Sequence, residues 1–141
     1  MDKPENEAKN SSWVKGIFAI TLFVEDLWAA KSFYQKVFGL PAVFEDPNSC
    51  VFQFGGTMIN LLKISEAREL IEPAAVADRA AGSRMVFTID VPDVDALCAE
   101  LTGRGVRLLN GPLDRPWGVR TASFCDPGGH IWEIAQRLAA G

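Results

Sequence analysis

Few residues in this chain carry side chains suited to acid–base or nucleophilic chemistry. There is one histidine, His130, and there are three widely spaced cysteines, Cys50, Cys98 and Cys125. Histidine titrates near neutral pH, but His130 directly follows a turn predicted at 126–129, and we interpret it as a capping or packing residue. No cysteine lies near an obvious base, so the sequence does not predict a thiolate nucleophile.

Two charged residues fall within strand-like segments, where alternation fixes the face of each side chain. Arg84 begins the segment 84–90, and Glu133 lies within 130–136. An arginine can hold a carboxylate, phosphate or enolate oxygen, and a glutamate can accept a proton. The alternative is that the two residues only form an ion pair. The faces opposite to theirs, and the matching face of the first strand, are apolar and predict a core: Phe18, Ile20, Leu22, Val24, Met85, Phe87, Ile89, Trp132 and Ile134.

The elements that would position these residues occur twice. The apolar segment 17–24 predicts a strand, and an apolar stripe between an N-capping Asp26 and a C-capping Gly39 predicts a helix. Strand-like segments follow, and after a polar connector the same order returns: strands at 41–44, 50–54 and 58–64, a connector at 65–82, a strand at 84–90, a helix from Asp93, and strands at 106–109, 119–125 and 130–136. A shift of about 67 residues superposes Asp26 on Asp93. The sequence therefore predicts an internal repeat of β-α-β-β-β.

The composition limits the classes of protein to which this chain can belong. The 141 residues suit one domain, and 48% hydrophobic with 23% charged residues is typical of a globular chain. A net charge of −4 argues against nucleic acid and anionic membranes as partners, and no apolar run reaches the ~20 residues of a membrane span. The unpaired cysteines and the polar N-terminus predict a cytoplasmic protein with a flexible tail at 1–13.

Two longer segments resemble the vicinal oxygen chelate superfamily, which contains glyoxalases, bleomycin resistance proteins and dioxygenases. They are FVEDLWAAKSFYQKVFGL at 23–40 and RPWGVRTASFCDPGGHIWEIAQ at 115–136. The resemblance covers about 14–137, with modules at about 14–64 and 83–137. It implies an α+β fold in which two βαβββ modules form a cupped mixed sheet with helices on the convex side. It also implies a homodimer, and leaves open whether one cup is built from one chain or two.

The resemblance further implies where a metal would bind, because metal-dependent members place ligands on the first and last strand of each module. Counting from the flanking aspartates puts three of these positions at Ala19, Arg84 and Glu133, and the fourth falls in the middle of MINLL, at Asn60. Alanine has no donor atom, arginine is permanently positive, and an asparagine oxygen is a weak ligand. We therefore predict a site without metal or cofactor, in which these four residues contact a small molecule and Glu133 and Arg84 are the candidate catalytic pair.

Other residues could line the same pocket. Trp117 lies in a loop before a strand and is either a stacking wall or a cover for the core. Phe52 and Phe54 alternate along a strand and either line the pocket or pack in the core, which is the usual place for phenylalanine. Arg120 is either a pocket residue or a solvated strand residue.

Three functions remain open from the sequence. The first is a protein that binds a small molecule without a conventional metal site, for example to sequester a drug. The second is a lyase or isomerase of the glyoxalase-like class, acting on a small oxoacid or thioester with Glu133 as base and Arg84 as partner of the developing oxyanion. The third is a non-catalytic structural dimer module whose cup is filled by side chains.

Overall fold

The computed structural model describes residues 13–139 and contains two βαβββ modules joined by a connector. The first module comprises β1 (Ala19–Val24), α1 (Leu27–Phe38), β2 (Ala42–Asp46), β3 (Ser49–Phe54) and β4 (Thr57–Lys63). The connector holds α2 (Arg68–Ile71), flanked by single 3-10 turns at Ile64–Glu66 and Arg79–Ala81. The second module comprises β5 (Val86–Asp90), α3 (Val94–Gly103), β6 (Leu108–Arg115), β7 (Val119–Cys125) and β8 (Ile131–Arg137). The predicted α+β fold is confirmed.

Each module forms its own four-stranded mixed sheet. The strand orders are β1-β4-β3-β2 and β5-β8-β7-β6, so the repeat seen in the sequence returns in the topology. The first and last strands of each module run parallel, and the other neighbours are antiparallel. Within the described part of the chain, β1 and β5 therefore have a strand partner on one side only.

Capping residues set the ends of the two long helices. The Asp26 carboxylate accepts from the Ala29 amide at 3.0 Å, and Gly39 ends α1 in the left-handed conformation with φ of 69°. Asp93 caps α3 in the same way, since its carboxylate accepts from the Ala96 amide at 3.0 Å. Both helix starts and the end of α1 match the sequence prediction.

The core lies between the modules and joins them. Tyr34 of α1 stacks on Phe52 of its own module, with ring centroids 5.6 Å apart, and meets Trp132 of the second sheet edge-on at 6.0 Å. Phe38 and Phe54 also pack against Trp132, at 5.0 and 5.2 Å. Because this cluster of rings lies between the sheets, the opposite face of each sheet is turned away from the core.

Most of the predicted core-facing side chains lie in or against this core: Ile20, Leu22 and Val24 in β1, Phe87 and Ile89 in β5, and Trp132 and Ile134 in β8. Phe18 and Met85 do not, since they are 77% and 59% exposed. Each precedes the first residue of its strand, so the alternation that assigned it to the core does not extend that far.

The predicted tail at 1–13 falls outside the described residues, except for Trp13, which is 84% exposed. Across 13–139, every helix is too short or too polar to cross a membrane.

Candidate functional site

One face of the second sheet, opposite the core, carries a line of polar side chains across all four strands. Asn110 of β6 is in register with Ser123 of β7, Ser123 with Glu133 of β8, and Glu133 with Thr88 of β5. Residues directly opposite each other on neighbouring strands point to the same face. We call these four residues the polar row.

Glu133 is held in the polar row by its neighbour on β5. The Thr88 hydroxyl donates to Glu133 Oε1 at 2.8 Å. Within the described residues, the second carboxylate oxygen, Oε2, has no protein donor. Apolar side chains continue the same face beside it, because Val86 pairs with Ile131 two residues along each strand. Glu133 Oε2 is therefore an available hydrogen-bond acceptor next to an apolar surface.

Arg115 places a positive charge beside the polar row. Its Nε donates to the hydroxyl of the buried Thr121 at 2.9 Å, and its Nη2 donates to Asn110 Oδ1 at 3.2 Å. These bonds hold the half-buried guanidinium against the polar face of the sheet. Arg115 is not among the residues predicted from the sequence, because RPWG is typical of a loop, whereas β6 extends to Arg115.

The first sheet repeats the Thr88–Glu133 pair of the polar row. Asn60 of β4 is in register with Thr21 of β1, as Glu133 is with Thr88. Asn60 Nδ2 donates to the Thr21 hydroxyl at 3.4 Å, while its Oδ1 is buried with no hydrogen-bond partner in the described chain. A buried acceptor without a donor costs about 1–3 kcal/mol, which makes Asn60 a candidate contact residue.

The structure places Arg84 differently from the sequence prediction. Ala19 begins β1 opposite Met58, and its counterpart in the second module is Val86, which begins β5 opposite Ile131. Arg84 lies two residues before β5, in a local turn where the Ser83 hydroxyl donates to the Met85 carbonyl. Both Arg84 and Glu133 are described, and no ion pair joins them.

By this register, the positions to which the resemblance assigns metal ligands are Ala19, Asn60, Val86 and Glu133. Two of them have no donor atom, and a catalytic divalent site needs about three protein ligands. Within 13–139, no three histidine, cysteine, aspartate or glutamate side chains come together in a way that could hold an ion. The residues present do not fit the chelated metal that the resemblance implies.

The remaining predicted pocket residues lie elsewhere. Phe52 is fully buried in the core, whereas Phe54 stacks on Trp132 and also borders a separate concave region beside α3. Trp117 lies at the turn between β6 and β7 and is 70% exposed.

Arg120 is held by two carboxylates, Asp114 at 2.6 Å and Asp95 of α3 at 2.9 Å. The bond to Asp114 raises the pKa of Arg120. These contacts draw the side chain toward α3 and away from the polar row.

A second concave region lies beside the open edge of β1. The connector passes β1 and the turn before β8, and together they enclose a cleft of about 350 Å³, which we call the connector cleft. Its walls include Thr21 and Phe23 from β1, Arg79 and Arg84 from the connector, and His130. The cleft thus gathers Arg84 and the single histidine in one place.

His130 joins a buried network behind this cleft. Its Nδ1 lies 2.9 Å from Asp126 Oδ2, which also accepts the Tyr34 hydroxyl at 2.7 Å. Trp132 Nε1 in turn donates to the Tyr34 oxygen at 3.0 Å. Burial and the charge of Asp126 raise the pKa of Tyr34 well above its ordinary value. His130 therefore has both the predicted packing contacts and an exposed side toward the cleft.

Comparison with known proteins decides the family. Residues 16–134 match the model of the Glyoxalase/Bleomycin resistance protein/Dioxygenase superfamily. The chain belongs to this superfamily. The resemblance of the two sequence segments to it is thereby confirmed over most of the chain.

Three similar proteins illustrate the relationship. The chain is 31% identical over 126 residues to the uncharacterized protein YraH of Bacillus subtilis (strain 168), covering 86% of this chain and 98% of YraH. It superposes on a glyoxalase/bleomycin resistance protein/dioxygenase from Nocardioides with a TM-score of 0.83 and 24% identity, over 96% of this chain and 92% of that one. TnmS3, an antibiotic-binding protein from Streptomyces sp. CB03234, gives a TM-score of 0.68 and 26% identity, over 90% and 99%.

Proposed function

We propose that this protein binds a small organic molecule against the polar row of the second sheet, without a conventional metal site. The observation that carries the proposal is the fixed set of polar groups on a face that the core does not use. Glu133 offers an acceptor, Arg115 offers a cation, and Val86 with Ile131 adds apolar surface. Small-molecule sites combine an apolar wall with a few placed polar groups in this manner.

Sequestration of a drug-like molecule is the favoured purpose of such binding. Its support is the likeness to TnmS3, which is described as an antibiotic-binding protein. A binding role also needs no chelated metal, in keeping with a donor set in which Ala19 and Val86 contribute nothing. We place the protein in the cytoplasm, where buried unpaired thiols such as Cys50 and Cys98 persist.

The second candidate is a lyase or isomerase of the glyoxalase-like class, favoured by the survival of Glu133 as a potential base. Arg84, the partner predicted from the sequence, lies outside the polar row, and in this candidate Arg115 takes its place. Product formation from a small oxoacid or thioester, abolished in Glu133→Gln, would favour this candidate. A structural module with a filled cup is a third candidate, and it would bind no ligand at all.

We further propose that two copies of the chain form the complete ligand pocket. Each sheet has one face turned away from its own core, and the entries to β1 and β5 are apolar and exposed, with Phe18 at 77%, Met85 at 59% and Val86 at 50%. A second copy would cover these side chains and supply a donor to Asn60 Oδ1. Monomeric proteins rarely leave large apolar patches uncovered.

Light scattering coupled to gel filtration tests the assembly. We expect a dimer for the unmodified chain, and a shift toward monomer in Phe18→Glu, because a charge cannot be buried unpaired in an apolar interface. Trp28→Glu is the control, since Trp28 is similarly exposed at 73% but lies on α1. A monomer at all concentrations, or equal dissociation in both variants, would contradict the proposal.

Metal content and thermal melting test the metal-free site. We expect purified untagged protein to hold less than stoichiometric metal, and its melting temperature to stay constant across Zn²⁺, Ni²⁺, Mn²⁺, Co²⁺ and Fe²⁺. A ligand that binds only the folded state would raise the melting temperature. A saturable rise that Glu133→Ala abolishes would restore a metal-dependent role.

The same melting assay, run with a panel of aromatic drugs and small carboxylates, tests ligand binding. A saturating compound should lose affinity in Glu133→Gln and keep it in Glu69→Gln, an exposed glutamate on α2. The absence of any saturating compound would favour the structural module.

A further inference from the structure

The connector cleft is lined by charged and titratable side chains that are not part of the polar row. It lies beside the open edge of β1, and its walls bring two arginines and the histidine of the chain together. The cleft, of about 350 Å³, has the volume of a small-molecule site. It has no part in the proposed binding at the polar row, so the two can be tested separately.

The buried carboxylate of Asp126 fixes the orientation of His130. Asp126 is 2% exposed and accepts from the His130 backbone amide at 2.8 Å. The imidazole Nδ1 lies 2.9 and 3.0 Å from its two oxygens. A carboxylate only accepts hydrogen bonds, so these contacts assign the proton to Nδ1 and leave Nε2 for another partner. The side chain is 20% exposed, and it lines the cleft.

Arg79 is held against the turn that precedes β8. Its backbone amide donates to Glu25 Oε2 at 3.1 Å. Its side chain crosses Gly129, where a Cβ would approach Arg79 Cγ to 3.2 Å. Gly129 has φ of +91°, so glycine suits this position both in conformation and in space.

The guanidinium groups of Arg79 and Arg84 have no ion-pair partner within residues 13–139, although both line the cleft. Two carboxylates, Glu25 and Asp78, line it as well. Glu25 already accepts a backbone amide. Neither carboxylate forms an ion pair with Arg79 or Arg84 in the described residues, so the cleft presents two cations whose planar forks match an oxyanion.

We propose that the connector cleft binds a small oxyanion, either a carboxylate or a phosphate monoester, between Arg79 and Arg84, with the doubly protonated ring of His130 donating a further hydrogen bond from Nε2. The contacts of Asp126 with the His130 backbone and Nδ1 orient the ring so that Nε2 faces the bound anion. This site is distinct from the polar row, and Glu133 has no part in it.

The single histidine makes a direct test possible by NMR. Its imidazole signals in untagged protein are titrated with inorganic phosphate and, separately, with acetate, at constant ionic strength and pH. We expect a saturable shift of these signals, and at least a tenfold loss of affinity in Arg79→Gln and in Arg84→Gln. Arg107→Gln is the matched control, since Arg107 is exposed and lies outside the cleft.

The outcomes separate the two ligand types and the two proposals. Saturation by phosphate alone assigns the site to phosphate esters, and saturation by acetate alone assigns it to carboxylates. No saturable shift, or an equal loss of affinity in Arg107→Gln, overturns the proposal. Glu133→Gln should leave the titration unchanged, so failure at the polar row and failure at the connector cleft remain distinguishable.

Discussion

Replacing Trp132 with alanine is expected to destabilise the protein by about 3–5 kcal/mol, the usual cost of removing a large buried aromatic side chain. Trp132 is 3% exposed and packs against rings from both modules. Its centroid lies 5.0 Å from those of Phe38 and Phe87 and 5.2 Å from that of Phe54. The substitution would leave a cavity between the sheets and leave the Tyr34 oxygen without the indole donor.

Urea unfolding measures this effect, with Trp117→Ala as the matched control. Trp117 is 70% exposed, so its removal should change the free energy of unfolding by less than about 0.5 kcal/mol. Similar losses in the two variants would show that the core between the modules does not dominate stability.

The second large effect is expected for Asp126→Asn, at about 3 kcal/mol of unfolding free energy. The carboxylate accepts from the Tyr34 hydroxyl, the His130 amide and the His130 ring. An asparagine has one acceptor oxygen in place of two and turns an NH₂ donor toward another donor. Buried donors would be left unsatisfied in a site that water does not reach.

A double-mutant cycle with Tyr34→Phe separates the contributions by chemical denaturation. The two substitutions should be non-additive, because they share the 2.7 Å hydrogen bond. Asp114→Asn is the comparison, since its ion pair with Arg120 is exposed and is expected to matter far less. Strict additivity would mean that the buried contact contributes little.

The sequence predicts the modules well because their signals are local. Asp26 as a cap, Gly39 as a terminator and the apolar stripe between them lie within one stretch of chain, and the structure contains that helix. The repeat of the same signals around Asp93 is enough to predict the second module. Each of these features depends on neighbours only a few residues away.

The candidate site is less predictable because it depends on strand pairing. Alternation shows that Phe52 and Phe54 share a face, but not that this face meets Tyr34. Likewise, the polar row exists only once Ser123 is in register with both Asn110 and Glu133. Register follows from pairing between distant segments, which a single sequence does not display.

Arg84 and His130 illustrate the same limit in two ways. The start of β5 is shifted by two residues from the predicted strand, which moves Arg84 from the sheet to the connector cleft. The role of His130 depends on Asp126, whose other partner, Tyr34, lies 92 residues away in the chain. Neither placement is encoded by a local pattern.

One face of each sheet must pack in the core, whereas the other face is free of that constraint. This difference affects how such a protein can change during evolution. Trp132 and Ile134 hold the core, whereas Glu133 between them points away from it. A substitution at Glu133, or at its counterpart Asn60, can alter the chemistry of the outer face while the packing beneath stays intact. Alternate residues of one strand can thus diverge at different rates. Substitutions on the outer face can change which molecules the protein binds without first reducing its stability.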